Sequence, residues 1–221
     1  MTFAISCYAQ KSVSSSSTGS IKGHEYVDLG LSVKWATCNV GAKKPEEYGD
    51  YFAWAETRSK KEYSWENLKY CKYKEGPITK VKFSKYVGGS ESGIVDNKLI
   101  LDPSDDAAHV NWGASWRMPT KEEQSELRER CDWKWTTQNG VDGFLVTSKI
   151  NGKSIFLPAA GYRDGKDLRV AGFCGCYWSS SFCGNGISYA AWDIKFKFHM
   201  YLVDYGGGNR NEGYSVRPVC E

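Results

Sequence analysis

Apolar residues along the chain fall into short runs rich in β-branched and aromatic side chains, punctuated by glycine. That pattern predicts many short strands, few helices and long loops. Residues 25–41 (EYVDLGLSVKWATCNVG) predict two short strands. In residues 43–57 (KKPEEYGDYFAWAET), Pro45 followed by acidic residues predicts a short helix with its first turn at the proline. Residues 59–110 are polar, rich in Lys and Tyr and poorly periodic, so long loops are expected there. The clearest local signal is WRMPTKEEQSELRERC at 116–131. Thr120 is placed as an N-cap and Glu123 completes a capping box, predicting a helix to about Cys131 with Leu127 and Cys131 facing inward. Residues 143–161 (GFLVTSKINGKSIFLPAAG) predict a hairpin turning at Asn151-Gly152. The last third alternates strand-like runs, such as AWDIKFKFHMYLV at 191–203, with glycine-rich turns. The expected class is α+β. With no strong linker after Ser20, residues 21–221 are expected to form a single domain.

Composition changes this picture in one respect. Apolar and charged fractions of 41% and 25% are ordinary for a chain able to bury a sizeable core. The aromatic fraction, 14% with nine Trp and fourteen Tyr, exceeds what packing normally requires and suits a binding surface. A scattered net charge of +3 argues against nucleic acid as a partner. No apolar run approaches the roughly 20 residues needed to cross a bilayer.

The first ten residues, MTFAISCYAQ, carry a short apolar stretch, and AIS before Cys7 is similar to a bacterial lipobox. Lipidation at Cys7 is one expectation; a disordered N-terminus with a chance cysteine is the other. KSVSSSSTGS at 11–20 reads as a flexible tether, so residues 1–20 divide from the folded part. An extracellular or outer-membrane surface location follows, with a membrane reached only through the lipid anchor.

Four segments in order resemble one family: VDLGLSVKWATCNVGA (27–42), WRMPTKEE (116–123), FLPAAGYRDG (156–165) and YWSSS with YSVRPVC (177–220). They are similar to the Fibrobacter succinogenes major paralogous domain of Bacteroides-like bacteria, a variant of the C-type lectin-like fold. The resemblance covers residues 21–221. It implies short strands, one or two helices and long loops that display a binding face. The closing segment also resembles the variable proteins of diversity-generating retroelements, in which adenine positions of codons are rewritten to make new binding surfaces.

That second resemblance bears on AGFCGCYWSSSFCGNGIS at 171–188, which holds three of the eight cysteines. Rewriting Asn-type codons cannot give Glu, Lys, Gln, Met or Trp. Between residues 173 and 188 only Trp178 lies outside the reachable set. Phe173, Cys174, Cys176, Phe182, Cys183, Asn185, Ile187 and Ser188 are reachable, as are Asp204, Tyr205, Asn209 and Asn211. Lys195, Lys197, Met200 and Glu212 would be fixed or differently encoded. With His199 and Tyr201, the reachable residues of 173–175, 182–189 and 199–211 make the expected ligand-binding face, its aromatic rings acting as anchors.

Other chemistries compete for the same residues. The three thiols could supply soft ligands to zinc, but the three His, at 24, 109 and 199, are scattered and no second knuckle exists. A disulfide from Cys183 to Cys174 or Cys176 suits an exported chain, and free, partly buried thiols remain the plainer reading. The Glu-Pro-Asn or Gln-Pro-Asp tripeptide of calcium-dependent sugar binders is missing, so calcium is not expected. Formylglycine-generating enzymes share the lectin-like fold and use a cysteine pair, yet their longer signatures are absent, and no hydrolase triad or phosphate loop is found. The expectation is therefore a non-enzymatic, cofactor-free monomer that binds a protein or glycan on another cell, phage or host surface. A structural surface domain with no specific ligand is the bland alternative. Trp116 and Trp178 are expected in the core, Arg117 and Arg217 as guanidinium groups serving loop carbonyls, and RDGKD at 163–167 as a solvated turn.

Overall fold

The computed structural model describes residues 17–72, 77, 81–184, 186–198 and 200–221, with the backbone alone over 200–206. Strands β1 (Gly19–Ile21), β2 (His24–Val27), β3 (Lys34–Ala36), β4 (Cys71–Lys72) and β5 (Lys82–Phe83) come first. Helices α1 (Ala107–Trp112) and α2 (Lys121–Arg130) follow. Then come β6 (Cys131–Gln138), β7 (Val141–Ser148), β8 (Ser154–Pro158), β9 (Tyr162–Asp164) and β10 (Asp167–Arg169). The chain closes with β11 (Cys174–Gly184), β12 (Ile187–Lys197), β13 (Met200–Asn209) and β14 (Val219–Cys220). Among the described residues the architecture is sheet-rich α+β, with antiparallel sheets dominant and two α-helices.

The last strand returns to the first part of the chain. β14 pairs with β3, Val219 opposite Trp35, in the sheet ordered β1-β2-β3-β14. Two three-stranded meanders, β6-β7-β8 and β11-β12-β13, carry most of the remaining ladder. The back of the β11–β13 sheet presents Tyr177, Ile194 and Phe196 to a core shared with Leu127, Val146 and Leu157.

Helix α2 forms for the reason its sequence gives. Thr120 Oγ1 accepts from Glu123 N at 3.2 Å, and the Glu123 carboxylate accepts from Thr120 N at 2.8 Å, so two otherwise orphaned donors are satisfied. Leu127 and Cys131 are buried as expected, although Cys131 already opens β6. Trp116 and Trp178 are fully buried. Arg217 is buried too, and its guanidinium donates to the carbonyls of Ala36, Thr37 and Phe156 and to Asn39 Oδ1. Arg117 donates to the Met118 carbonyl at 3.3 Å and also makes a two-pronged pair with Glu123, at 2.6 and 2.8 Å, tying the segment before α2 to the capping box.

Two local expectations are corrected. The segment after Pro45 is a turn, because Glu47 folds back to accept Lys43 N at 2.7 Å and Glu46 is taken by Asn139 of the β6–β7 turn at 2.9 Å. Nor is Asn151-Gly152 a two-residue hairpin turn. Ser148 N bonds Lys153 O, leaving a four-residue loop between them. The two-residue turn lies one hairpin earlier, at Asn139-Gly140, where Gln138 pairs with Val141 and both turn residues have positive φ (48° and 82°).

The loop-rich region before α1 is ordered by polar contacts instead of ladders. Asp105 is buried and receives Lys69 Nζ (2.7 Å), Tyr70 Oη and Tyr86 Oη (both 2.8 Å) and Lys85. Burial alone would raise its carboxyl, but these donors hold it at about 2.

Candidate functional site: the front of the C-terminal sheet

In a strand, alternate residues share a face. On β11 the front face carries Cys174, Cys176 and Trp178. Their partners on β12 are Lys197, Lys195 and Asp193, and Asp193 is in turn opposite Gly206 of β13. The front therefore collects thiols and charged groups, whereas the back collects Tyr177, Ile194 and Phe196. A cavity of about 650 Å³ opens on the front. Cys174, Cys176, Lys195 and Lys197 belong to its lining, together with Gly207 and Gly208, and Phe173 and Val170 stand at its rim as exposed residues.

The turn that presents this edge is strained. Val170 has φ of 47°, a left-handed conformation that a β-branched residue adopts only when held, and its carbonyl accepts both Phe173 N (3.2 Å) and Cys174 N (3.1 Å). Phe173 O in turn accepts Phe198 N at 2.8 Å, closing the β11 and β12 ends over the same cavity.

At the inner end lies a polar cluster. Asp193 is fully buried, and neither carboxylate oxygen accepts a well-formed hydrogen bond from a described residue. Its counter-ion is Lys195, with Nζ at 3.4 Å. Burial raises the Asp193 carboxyl to about 7, and Lys195 opposes that rise. Burial also works against the Lys195 ammonium, but the charges of Asp193, Cys176 and Glu212 outweigh it and raise that group. Lys195 also lies over the Tyr214 ring, 5.1 Å from its centre, while Tyr214 Oη donates to Glu212 at 2.5 Å and Asn209 Nδ2 to the same carboxylate at 3.0 Å. Gly208 has no room for a side chain here: a Cβ would collide with Asp193, Tyr214 and Trp178.

The two thiols touch. Cys174 Sγ and Cys176 Sγ are 3.6 Å apart. The Cys176 hydrogen bond lowers Cys174, with Lys197 and Lys195 helping, against burial; the same contact and burial push Cys176 well up. Cys183, half-buried, is pushed up to about 11 by burial. Cys183 forms no disulfide with Cys174 or Cys176.

Of the residues expected on the binding face, Phe173 and Asn209 border the cavity, whereas Cys174 and Cys176 are a correction: they reach it as buried residues, 4% and 1% exposed. Ile187 is exposed elsewhere, where β11 turns into β12. Phe182, Ser188 and Asn211 are corrections: all three are buried. Phe182 stacks on Trp54, ring centres 5.8 Å apart, and Ser188 Oγ accepts Gly88 N at 3.0 Å, so both serve the interior. Asn185, His199 and Cys7 lie outside the described residues, as do the side chains of Tyr201 and Tyr205. The backbone of the latter two runs in β13.

The serines of YWSSS are likewise interior. Ser179 Oγ donates to Trp192 O (2.8 Å), Ser180 N to Pro119 O (2.7 Å), and Ser181 Oγ accepts Lys121 N (3.0 Å), which locks β11 onto the start of α2. Asp193, Lys195, Lys197, Glu212 and Tyr214 were not expected in the site. The signal for three of them was present: in WDIKFK, charged residues alternate with apolar ones, the mark of a strand with one wet face.

Comparison with family models, with curated proteins and with solved structures gives no match to this chain. Among the described residues, no helix is long and apolar enough to cross a membrane.

Proposed function

We propose that the chain is an extracellular ligand-binding module of the C-type lectin-like kind, which recognises a protein or glycan at the front of the β11–β13 sheet without calcium and without chemistry on that ligand. The observation that carries this reading is the cavity itself. A pocket of about 650 Å³ has the size of a small-ligand or side-chain cleft, and the exposed Phe173 ring borders it beside lysines. An exposed aromatic next to fixed polar groups is the composition of recognition surfaces. The short strands, the two α-helices and the long loops ahead of α1 agree with the lectin-like reading of the sequence.

The module acts as a monomer on a cell surface, held there by a lipid on Cys7 and the serine-rich tether. In the diversified version, Phe173 and Asn209 vary at the rim, while the buried Cys174 and Cys176 stay with Lys195, Lys197 and Glu212, giving a constant floor under a changing rim. Phe182, Ser188 and Asn211 would then be held constant by packing. Sequencing the gene's own locus tests that version: an adenine-differing copy of the codons for residues 171–220 beside a reverse transcriptase is expected, and its absence removes the diversification.

The binding reading itself is tested with a printed glycan array and a displayed random-peptide library, each probed with the wild type and with Phe173→Ala/Lys197→Glu. Both residues are exposed, so the fold is retained. Binding to at least one library, weakened about tenfold or more by the double substitution, is expected. Binding to neither, or binding indifferent to the substitution, overturns it.

A further inference from the structure

The cavity floor holds chemistry that recognition does not use. Cys174 and Cys176 are two residues apart on one strand face, and their sulfurs lie 3.6 Å apart where the cavity reaches β11. We propose that this pair is a reversible dithiol–disulfide couple, with Cys174 the attacking sulfur and a low-molecular-weight disulfide, admitted by the cavity, its reaction partner.

Three observations carry it. The first is the direct sulfur contact, which lets one thiol donate to the other and leaves a resolving thiol in place. The second is charge. Lys195 and Lys197 are the cross-strand partners of Cys176 and Cys174, and cations beside a thiol favour the thiolate. The same lysines disfavour a bound metal cation, so the pair is better suited to attack than to ligation. Asp193, held against Lys195, and Glu212, held by Tyr214 and Asn209, are the acidic groups nearby, and each is already engaged. The third is asymmetry: the contact lowers Cys174 and raises Cys176, which separates an attacking from a resolving sulfur.

The step balances simply. The Cys174 thiolate attacks one sulfur of the external disulfide, forming a mixed disulfide and expelling one thiolate. Cys176 then loses its proton to solvent and attacks Cys174 Sγ, expelling the second thiolate. The protein gives up two electrons and two protons, and the external disulfide becomes two thiols. Residues i and i+2 of an extended strand have Cα atoms roughly 6.6 Å apart, near the upper limit for a disulfide. That span still lies within disulfide reach, so the pair can close without moving the strand, and an excess of reduced thiol reverses it by the same exchange.

The test uses the full chain and oxidised glutathione at neutral pH, read by intact mass and peptide mapping. The wild type should lose two hydrogens, with Cys174 and Cys176 linked. Cys176→Ser should accumulate a single glutathione adduct on Cys174. Cys183 is the internal control: it is more exposed but its thiol is held protonated, so Cys174 should react about tenfold faster. Should the serine variant fail to fold, brief alkylation of the native wild type reads the same order of reactivity. Lys195→Met, which leaves both thiols intact, should slow adduct formation several-fold. Equal rates at Cys174 and Cys183, or no adduct trapped on Cys174 in a folded Cys176→Ser, overturns the proposal. The readout is the protein's own mass, so failure here is distinct from failure to bind a glycan or peptide.

Discussion

The two faces of the β11–β13 sheet are built from alternate residues of the same strands and do different things. The back spends Tyr177, Ile194 and Phe196 on a shared core, with Phe196 stacked against Tyr177 (5.8 Å) and edge-on to Phe144 (5.1 Å). The front sets two thiols, two lysines and a buried aspartate beneath an open cavity. The front also packs Trp178 into a second core, so alternation in one strand separates a wholly packed face from one that combines packing with an open, charged cavity.

The largest effect is expected on the back. Phe196→Ala removes a fully buried ring that touches three aromatic neighbours and leaves a cavity that cannot collapse easily. It should cost about 3–5 kcal/mol in urea denaturation, and a loss below about 1 kcal/mol would contradict the division between faces.

On the front, Asp193 makes stability depend on pH. Its carboxyl ordinarily titrates at 3.8 and is raised to about 7 in the folded chain. The folded state therefore holds the proton more tightly than the unfolded state. The contribution is complete below about pH 4 and is lost as pH rises through 7, up to about 4 kcal/mol in all. Asp193→Asn, which cannot ionise, should flatten that slope and stabilise the protein at pH 8 relative to the wild type. A melting temperature with the same pH profile in both proteins would remove Asp193 from this role.

The same alternation explains what was legible in the sequence. Helix α2 was readable because Thr120, Glu123 and Leu127 act within one element, where spacing is enough. Of the two Asn-Gly pairs between β6 and β8, the one at 139–140 makes the tight turn, and a strand pattern blurred by Trp133, Lys134 and Trp135 hid it. Phe182 and Ser188 were placed on the surface because reachability by codon says nothing about burial. The irregular pairing of β11 after Trp178, which sends them inward, depends on where Pro119 and α2 sit. The cavity's charged floor needed the register Cys176 to Lys195 and Trp178 to Asp193, a cross-strand fact that no single segment contains.

A smaller effect, of opposite sign, is expected at the cavity rim. Val170 is held at φ 47°, and glycine relieves that conformation without a steric cost. Val170→Gly should therefore stabilise the fold by about 1 kcal/mol even though its unfolded chain is freer, since a β-branched residue in this region is strained by a comparable or larger amount. Thermal denaturation decides it. A destabilised variant would mean that the side chain's contacts at the rim outweigh the strain.

The smallest effect on stability is the most informative about function. Phe173 is 65% exposed on the strand edge where Val170 and Phe198 meet. Removing its ring takes little from the core, so Phe173→Ala should change unfolding free energy by no more than about 0.5 kcal/mol. A large ring kept in water beside a cavity is not there for the fold, and its replacement should be visible in ligand binding while Phe196→Ala is visible in denaturation. If instead Phe173→Ala destabilises as strongly as a core substitution, the ring caps the sheet edge, and the front face becomes a second structural surface.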